Sequence, residues 1–294
     1  MGLLIVMELG LRSLFGFGNP LIYIPDQQIG YLLAPNQGTR RFGNRIEINQ
    51  YSMRSGAFQE VPTSLRVLVL GDSIANGGWW TDQANTIPSL IMNSFQEVEV
   101  LNASANSWSP RNQLAYLEKF GTFNAGVVVL LINTDDLFGT APTSLPVGRD
   151  RNYPDHKPLL AIFEVCQRYI FKQKAIPGLP EEKGDRVGTI LTAIDKIYNI
   201  SQEKNSKFLL VMTPLLRELD QPGSRDYEIV ARQRLSDFTR IKGINYVDFL
   251  PIFQATTNPE TLYHDHIHLN LQGSQLVSQE IGRSLLLETP KSTQ

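Results

Sequence analysis

The sequence has little cysteine, no long apolar run and no surplus of either charge, and each shortage excludes a class of protein. Cys166 is the only cysteine among 294 residues, so no internal disulfide can form. There are 27 Lys and Arg against 29 Asp and Glu, and no stretch of five or six like charges. Binding to nucleic acid or to an anionic membrane by charge alone is therefore excluded. The longest apolar run, residues 127–132, is far shorter than the ~20 residues of a membrane-spanning helix.

The amino-terminal residues leave two interpretations open. Residues 3–7 are apolar, but Glu8 and Arg12 follow them and no basic residue precedes them, so the pattern of a signal peptide is not met. The segment is either the remaining end of a trimmed leader or membrane tether of a longer precursor, or a helix packed on the domain. The first interpretation favours an exported or periplasmic protein.

The chain divides by composition near residue 64. Residues 1–64 contain a stretch rich in Pro, Gly, Asn and Gln around a Gly43-Asn44 turn, which predicts a small β-rich appendage. In residues 65–294 apolar runs alternate with helical patterns, which predicts one α/β domain with a parallel sheet. Five strands are expected, at 67–70, 98–101, 127–132, 208–212 and 244–247.

Two segments between the strands carry further expectations. Cys166 lies at helical spacing among apolar residues within 159–174, which predicts a buried helix face and a cysteine that only fills the core. Residues 139–158 contain four prolines and no regular pattern, and a connection of that length is usually functional. We expect it to form a loop or lid over the site.

Chemically competent side chains follow the first strand and precede the last helix. In open parallel sheets ligands bind beyond the carboxyl ends of the strands, and Gly71-Asp72-Ser73 stands at such an end. Asp265 and His268 are three residues apart, a spacing that brings a carboxylate to one ring nitrogen and leaves the other free. Ser73, His268 and Asp265 are therefore the expected catalytic triad.

These motifs resemble the SGNH (GDSL) family of esterases, and the resemblance runs in order through residues 66–288. Ser73 matches the first block, and Asp265 and His268 with the following Leu-Asn match the fifth. Residues 102–107 resemble the second block and residues 133–137 the third, less closely. The resemblance implies a flavodoxin-like three-layer α/β/α sandwich with a five-stranded parallel sheet. It also implies ester hydrolysis that needs neither a metal nor an organic cofactor.

The departures from the family pattern concern the oxyanion hole. The resemblance implies that the backbone N–H groups of Ser73 and of the residue at Ser107 hold the oxyanion, although the family has glycine at the second position. The family's oxyanion-binding asparagine falls on Asp135, and an ionised carboxylate cannot donate a hydrogen bond. Three interpretations stay open: Asp135 is protonated and donates, Asn133 takes over, or the third donor is missing and the enzyme is slow.

Other residues near these motifs admit a functional and a structural interpretation. Trp79 and Trp80 are candidates for lining the acyl or sugar pocket, or they pack under the β-rich segment. His264, His266 and His268 alternate and would share one face of a strand as a metal site, but no other cluster completes the ligand shell. We favour no metal site.

The function expected from these residues is serine-dependent hydrolysis of an ester. The partner is a small-molecule or saccharide ester, with removal of an acetyl group from a cell-envelope or exported saccharide favoured. Two alternatives remain: an O-acyltransferase that uses the same triad, and a catalytically weakened glycan-binding relative, for which Asp135 is the one argument.

Overall fold

The computed structural model describes residues 2–95, 97–179 and 181–288, and its centre is a five-stranded sheet. The strands are β5 (Leu65–Gly71), β6 (Val98–Ser104), β7 (Val127–Asn133), β8 (Lys207–Thr213) and β9 (Asn245–Asp248). They lie in the order β6-β5-β7-β8-β9 and all neighbours pair in parallel. This is the flavodoxin-like order, and it confirms the predicted fold.

Alternate residues of the central strands bury opposite faces of the sheet. Val67 and Val69 of β5 belong to one apolar cluster, while Leu68 and Leu70 belong to the other. Since successive side chains of a strand point to opposite faces, each face needs its own cover of helices. The sandwich therefore has three layers.

Helices cover both faces. In this part of the chain they are α2 (Ser73–Asn76), α3 (Ile87–Ser94), α4 (Pro110–Phe120), α5 (Ala161–Val165), α6 (Arg186–Glu203), α7 (Asp226–Lys242), α8 (Phe249–Gln254) and α9 (Leu271–Glu288). The apolar stripe of α6 is buried as its 3.6-residue period predicts, with Ile190, Ile194 and Ile197 fully covered.

The prediction of a long buried helix over 159–174 is wrong. Only α5 and a following π-helical turn, Cys166–Ile170, form there. Leu159 is 94% exposed and Ile170 67% exposed, and Cys166 is only partly buried. Apolar periodicity shows which residues share a face, but it does not show that another element covers that face.

The amino-terminal segment consists of one helix and two hairpins. Helix α1 (Gly2–Phe15) buries none of its residues and touches α5. Strands β1 (Tyr23–Asp26) and β2 (Gly30–Leu33) form one antiparallel hairpin, and β3 (Gln37–Arg41) and β4 (Asn44–Ile48) form the other. The β-rich character is as predicted, and the turn between β3 and β4 is formed by Phe42 and Gly43, one residue earlier than the Gly43-Asn44 signal. Within the described ranges, no helix combines the length and the hydropathy needed to cross a membrane.

The hairpins pack into the same apolar cluster as the sheet. Ile29, Leu33 and Ile46 are buried together with Leu68 and Leu70 of β5. The division of the chain at residue 64 stays a prediction about its organisation. In the folded chain, the residues on both sides of that point share one core.

Candidate active site

Ser73, His268 and Asp265 lie together at the carboxyl edge of the sheet. Ser73 is the first residue of α2, directly after β5, and His268 lies in the loop before α9. The Ser73 Oγ is 2.9 Å from His268 Nε2, and His268 Nδ1 is 2.7 Å from Asp265 Oδ2. A hydroxyl, an imidazole and a carboxylate connected in this order have the geometry of a serine nucleophile with its base and its orienting acid.

The carboxylate of Asp265 is held in one orientation by its own loop. Its Oδ1 accepts the backbone N–H of Ile267 at 2.9 Å and that of His268 at 2.8 Å. Burial raises the pKa of Asp265, but the hydrogen bonds from the His268 backbone and ring and from the Ile267 backbone outweigh it, and the pKa falls to about 2. Asp265 is therefore ionised at neutral pH and ready to stabilise an imidazolium.

Three residues hold the turn that carries Ser73 through hydrogen bonds. Asp72 Oδ1 accepts the N–H of Ile74 at 2.8 Å and caps α2. Asn102 of β6 donates to the carbonyl of Ala75 at 2.9 Å. The guanidinium of Arg54, which is 1% exposed, donates to the carbonyls of residues 76, 78 and 81. This fastening fixes the position of the nucleophile relative to His268.

The backbone N–H groups of Ser73 and Ser107 are free to receive an oxyanion. Neither makes a hydrogen bond to any residue that the structure describes. Ser107 has φ of 59°, the left-handed conformation that glycine favours, and its Oγ accepts the hydroxyl of Tyr153 at 2.8 Å. The backbone thus adopts the conformation that the family's glycine would adopt, although the residue has a Cβ.

Asn133 does not supply the replacement donor in this arrangement. Its Nδ2 donates to Asp72 Oδ2 at 2.7 Å and to Asp136 Oδ2 at 3.1 Å, so both amide hydrogens are used. Burial raises the pKa of Asp72 to about 6, and burial together with the charge of Asp72 raises that of Asp136 well above its usual value. Asn133 is thus a bridge between two buried carboxyl groups.

Asp135 lies in the cavity beside the triad. Its side chain makes no hydrogen bond within the described part of the chain, and Ser73, Ser107 and His268 line the same cavity. Burial and the charge of Glu228 raise the pKa of Asp135. The carboxyl group is therefore shifted toward the protonated form, the direction that the first of the three interpretations requires.

Trp79 packs against the β-rich segment, and both Trp79 and Trp80 line the site. Trp79 packs against Phe42, with ring centroids 5.2 Å apart, and Trp80 lies 4.4 Å from the ring of His268. His264 stacks on the other side of Trp80 at 6.0 Å. The His266 side chain is 85% exposed, so the three histidine rings do not converge. Among the described residues no group of His, Cys, Asp and Glu is arranged to hold a metal ion.

Two cavities meet at the nucleophile. The hairpin-side cavity has a volume of about 250 Å³ and lies between Ser73, Trp79 and Trp80 and the hairpin residues Tyr23 and Arg41. The loop-side cavity has a volume of about 530 Å³ and is lined by Asp135 and by residues of the 139–146 stretch. Ser73, Ser107, Tyr153 and His268 line both. The proline-rich stretch therefore covers the site, as expected.

Several residues of the site escaped the sequence analysis. Tyr153 lies in the proline-rich stretch, Asn106 in the second motif, and Arg41 and Arg168 on elements without any motif. Tyr153 and Asn106 had a signal in the sequence, because Tyr153 lies in the segment predicted to cover the site and Asn106 lies in the stretch that resembles the second block. Arg41 and Arg168 reach the cavity through tertiary packing.

Comparison with known proteins places this site in a family. The model of the GDSL-like Lipase/Acylhydrolase family matches residues 69–276, and the chain belongs to that family. Its members are carboxylic-ester hydrolases, and this chain is one of them.

Solved structures share the fold at low sequence identity. The acetyl xylan esterase AlAXEase has a TM-score of 0.52 at 16% identity, over 75% of this chain and 100% of its own. The lipase/acylhydrolase from Enterococcus faecalis has a TM-score of 0.52 at 14% identity, over 78% and 100%. A lipolytic G-D-S-L protein from Veillonella parvula has a TM-score of 0.50 at 14% identity, over 77% and 100%. No curated protein sequence matches the chain.

Proposed function

We propose that this chain hydrolyses esters with Ser73 as the nucleophile, His268 as the general base and Asp265 as its orienting acid. The observation that carries the proposal is the continuous connection from Ser73 Oγ through the His268 ring to Asp265, at 2.9 Å and 2.7 Å. The ionised Asp265 keeps the ring proton on Nδ1, so Nε2 is free to accept from the serine hydroxyl.

The reaction then follows from the positions of these atoms. Ser73 Oγ bonds to the ester carbonyl carbon while its proton passes to His268 Nε2, and the carbonyl oxygen becomes an oxyanion held by the N–H groups of Ser73 and Ser107. The carbon–oxygen bond to the alcohol breaks, and the alcohol leaves with the proton from Nε2. Water, deprotonated at Nε2, then releases the acid and restores Ser73.

The hairpin-side cavity favours a small saccharide ester as substrate. Trp79 and Trp80 offer flat apolar faces, and Asn106 and Asn152 offer amide groups beside them. A volume of about 250 Å³ suits one sugar ring or a short acyl group. Removal of an acetyl group from a saccharide fits these features.

Hydrolysis of a small activated acetate ester tests the nucleophile. We expect the wild type to turn over, Ser94→Ala to match it because Ser94 is an exposed serine on α3, and Ser73→Ala to lose activity. Activity should fall on acidification, because only an unprotonated base can accept the proton of the serine hydroxyl. A fluorophosphonate should label Ser73 alone, whatever the natural substrate is. An inert wild type, or an active Ser73→Ala, would contradict the proposal.

Acyl transfer to a hydroxyl is the second candidate, because two cavities open onto one serine. One cavity could hold the acyl donor while the other holds an acceptor sugar. Adding a sugar acceptor to the acetate assay separates the two activities. Transfer is favoured if acetylated sugar exceeds free acetate, and hydrolysis is favoured if acetate remains the main product.

A further inference from the structure

The two cavities at Ser73 differ in the charged residues that line them. The hairpin-side cavity is lined by Arg41 and Arg168, and no Asp or Glu among the described residues lines it. The loop-side cavity is lined by Asp72, Asp135 and Asp136 and by Arg186, and the pKa of each of these three carboxyl groups is raised. Positive charge without a lining carboxylate is therefore a property of the hairpin-side cavity.

A buried cluster behind the hairpin-side cavity leaves one positive charge unbalanced. Glu164 accepts from both nitrogens of the Arg41 fork, from Arg168 Nε at 2.8 Å and from the Gly18 N–H at 2.7 Å. Burial raises the pKa of Glu164, but Arg41 and Arg168 outweigh it and the pKa lies below its usual value. One carboxylate thus faces two guanidinium groups. The side chain of Arg41 is 5% exposed and that of Arg168 is 17% exposed.

Arg168 is the residue of this cluster that has unused hydrogen-bond donors. In Arg41, Nη1 and Nη2 both donate to Glu164, and Nη1 also donates to the Gly16 carbonyl. In Arg168, only Nε donates to Glu164, and Nη1 and Nη2 make no hydrogen bond in the described chain. A partly desolvated guanidinium with two unused nitrogens pairs best with the two oxygens of a carboxylate or phosphate. The geometry points to an anion beside Arg168.

We propose that the hairpin-side cavity binds an anionic group of the substrate, so that the enzyme acts on esters of acidic saccharides. This rests on the proposed function of Ser73. The carboxylate or phosphate of the sugar contacts Arg168, while the ester carbonyl lies at Ser73 between the two cavities.

The positive charge continues beyond Arg168. A neighbouring cavity of about 280 Å³ shares Pro20, Pro154 and Arg168 with the hairpin-side cavity. Besides Arg168, four Lys and Arg line it, against three Asp and Glu. An acidic saccharide of more than one residue would thus find a second positive surface next to the first.

Three acetates of one sugar test the proposal: a mono-acetylated methyl glucoside, methyl glucuronide and methyl glucose 6-phosphate. They share the ring and the ester and differ in charge. We expect kcat/KM for a charged ester to exceed that for the neutral ester by about 10- to 100-fold, the usual effect of a charge-assisted hydrogen bond. Whether the carboxylate or the phosphate gains more identifies the natural anion.

Substitutions test whether the preference for the charged ester depends on Arg168. Arg168→Gln should remove most of the preference for the charged ester, and Arg168→Lys should keep part of it. Arg40→Gln is the matched control, because Arg40 is an exposed neighbour of Arg41 outside the cavity and the variant loses the same charge. Equal kcat/KM for all three esters, or a preference that Arg168→Gln leaves intact, would overturn the proposal.

Binding to Ser73→Ala separates this proposal from the hydrolysis itself. Calorimetry with unacetylated methyl glucuronide, methyl glucose 6-phosphate and methyl glucoside should show tighter binding of one charged sugar, and the double variant with Arg168→Gln should lose it. If the wild type hydrolyses nothing but this difference is found, the anion site stands and the hydrolysis falls. If the esters are hydrolysed and the difference is absent, the anion site falls alone.

Discussion

Replacing Asp265 by Asn should stop catalysis through the imidazole tautomer. Two backbone N–H groups hold Oδ1 of Asp265, and Oδ2 faces His268 Nδ1. An asparagine must keep its carbonyl oxygen toward the two N–H groups, so its NH₂ faces Nδ1. That nitrogen must then accept, the ring proton moves to Nε2, and Nε2 can no longer accept from Ser73. A loss of about 10⁴-fold in kcat is expected.

The same substitution should cost little stability. The shift of the Asp265 pKa from 3.8 to about 2 corresponds to roughly 2.5 kcal/mol if fully expressed. Because the side chain is 39% exposed, solvent screening reduces this to about 1 kcal/mol. Since the folded pKa is the lower one, this stabilisation is present above about pH 4 and is lost as pH falls toward about 2. The wild type and Asp265→Asn should therefore converge in stability in acid.

The assay is acetate-ester hydrolysis together with thermal unfolding at several pH values. Asp237→Asn serves as control, because it removes an exposed carboxylate of α7 far from the site in sequence and should change neither activity nor the position of His268. If Asp265→Asn keeps more than about a tenth of the wild-type kcat, orientation of the ring by Asp265 is not needed and the tautomer argument is refuted.

Four further substitutions test neighbouring parts of the structure. Asp135→Asn should raise kcat/KM on the neutral acetate ester by up to about 100-fold at alkaline pH, where an amide donor replaces a carboxylate that repels the oxyanion. The gain should shrink on acidification, because the raised pKa of Asp135 favours a protonated carboxyl that can itself donate; unchanged turnover at every pH in a steady-state assay would argue for a separate role. Ser107→Gly should leave hydrolysis within about threefold of wild type, because the backbone N–H is retained at φ of 59°. Arg54→Met should lower the free energy of unfolding in urea by about 3 kcal/mol, because three carbonyls around the nucleophile lose their donor. Glu164→Gln should cost about 3 kcal/mol at neutral pH by leaving Arg41 and Arg168 unbalanced. Because the folded pKa of Glu164 is lowered, that cost should shrink on acidification below its ordinary pKa of 4.5, and melting curves would show whether it does.

The sheet and the proximity of Ser73, His268 and Asp265 were predictable because their signals are local. Continuous apolar runs such as residues 127–132 are typical of strands buried on both faces, and the structure buries all of them. The Asp265 to His268 spacing needs only one turn of loop to bring a carboxylate to a ring nitrogen. Such patterns keep their meaning whatever the remainder of the chain does.

The engagement of Asn133 and the charge of the hairpin-side cavity were not predictable in this way. The side chain of Asn133 donates to Asp72, which is 61 residues earlier in the chain, and no residue near Asn133 in the sequence indicates that partner. Arg41 and Arg168 meet through Glu164, across 123 residues in one case. The apolar residues around 159–170 show the converse error, since their period was correct but several of them, such as Leu159 and Ile170, stay exposed. Long-range partners decide burial and charge, and a single sequence does not reveal them.

The amino-terminal segment contributes residues to the hairpin-side cavity next to Ser73. The family match begins at residue 69, and Ser73, His268 and Asp265 all lie within it. Tyr23, Arg41 and Ile46, which line the hairpin-side cavity, come from the hairpins before it. Arg54 lies between the two parts and fastens the Ser73 turn to the segment that follows the hairpins. A relative that shares only the matched region would keep Arg168 but would lack the hairpin residues that line the same cavity. If the cavity selects the ester as proposed, that selection depends in part on the segment that composition alone marks as an appendage.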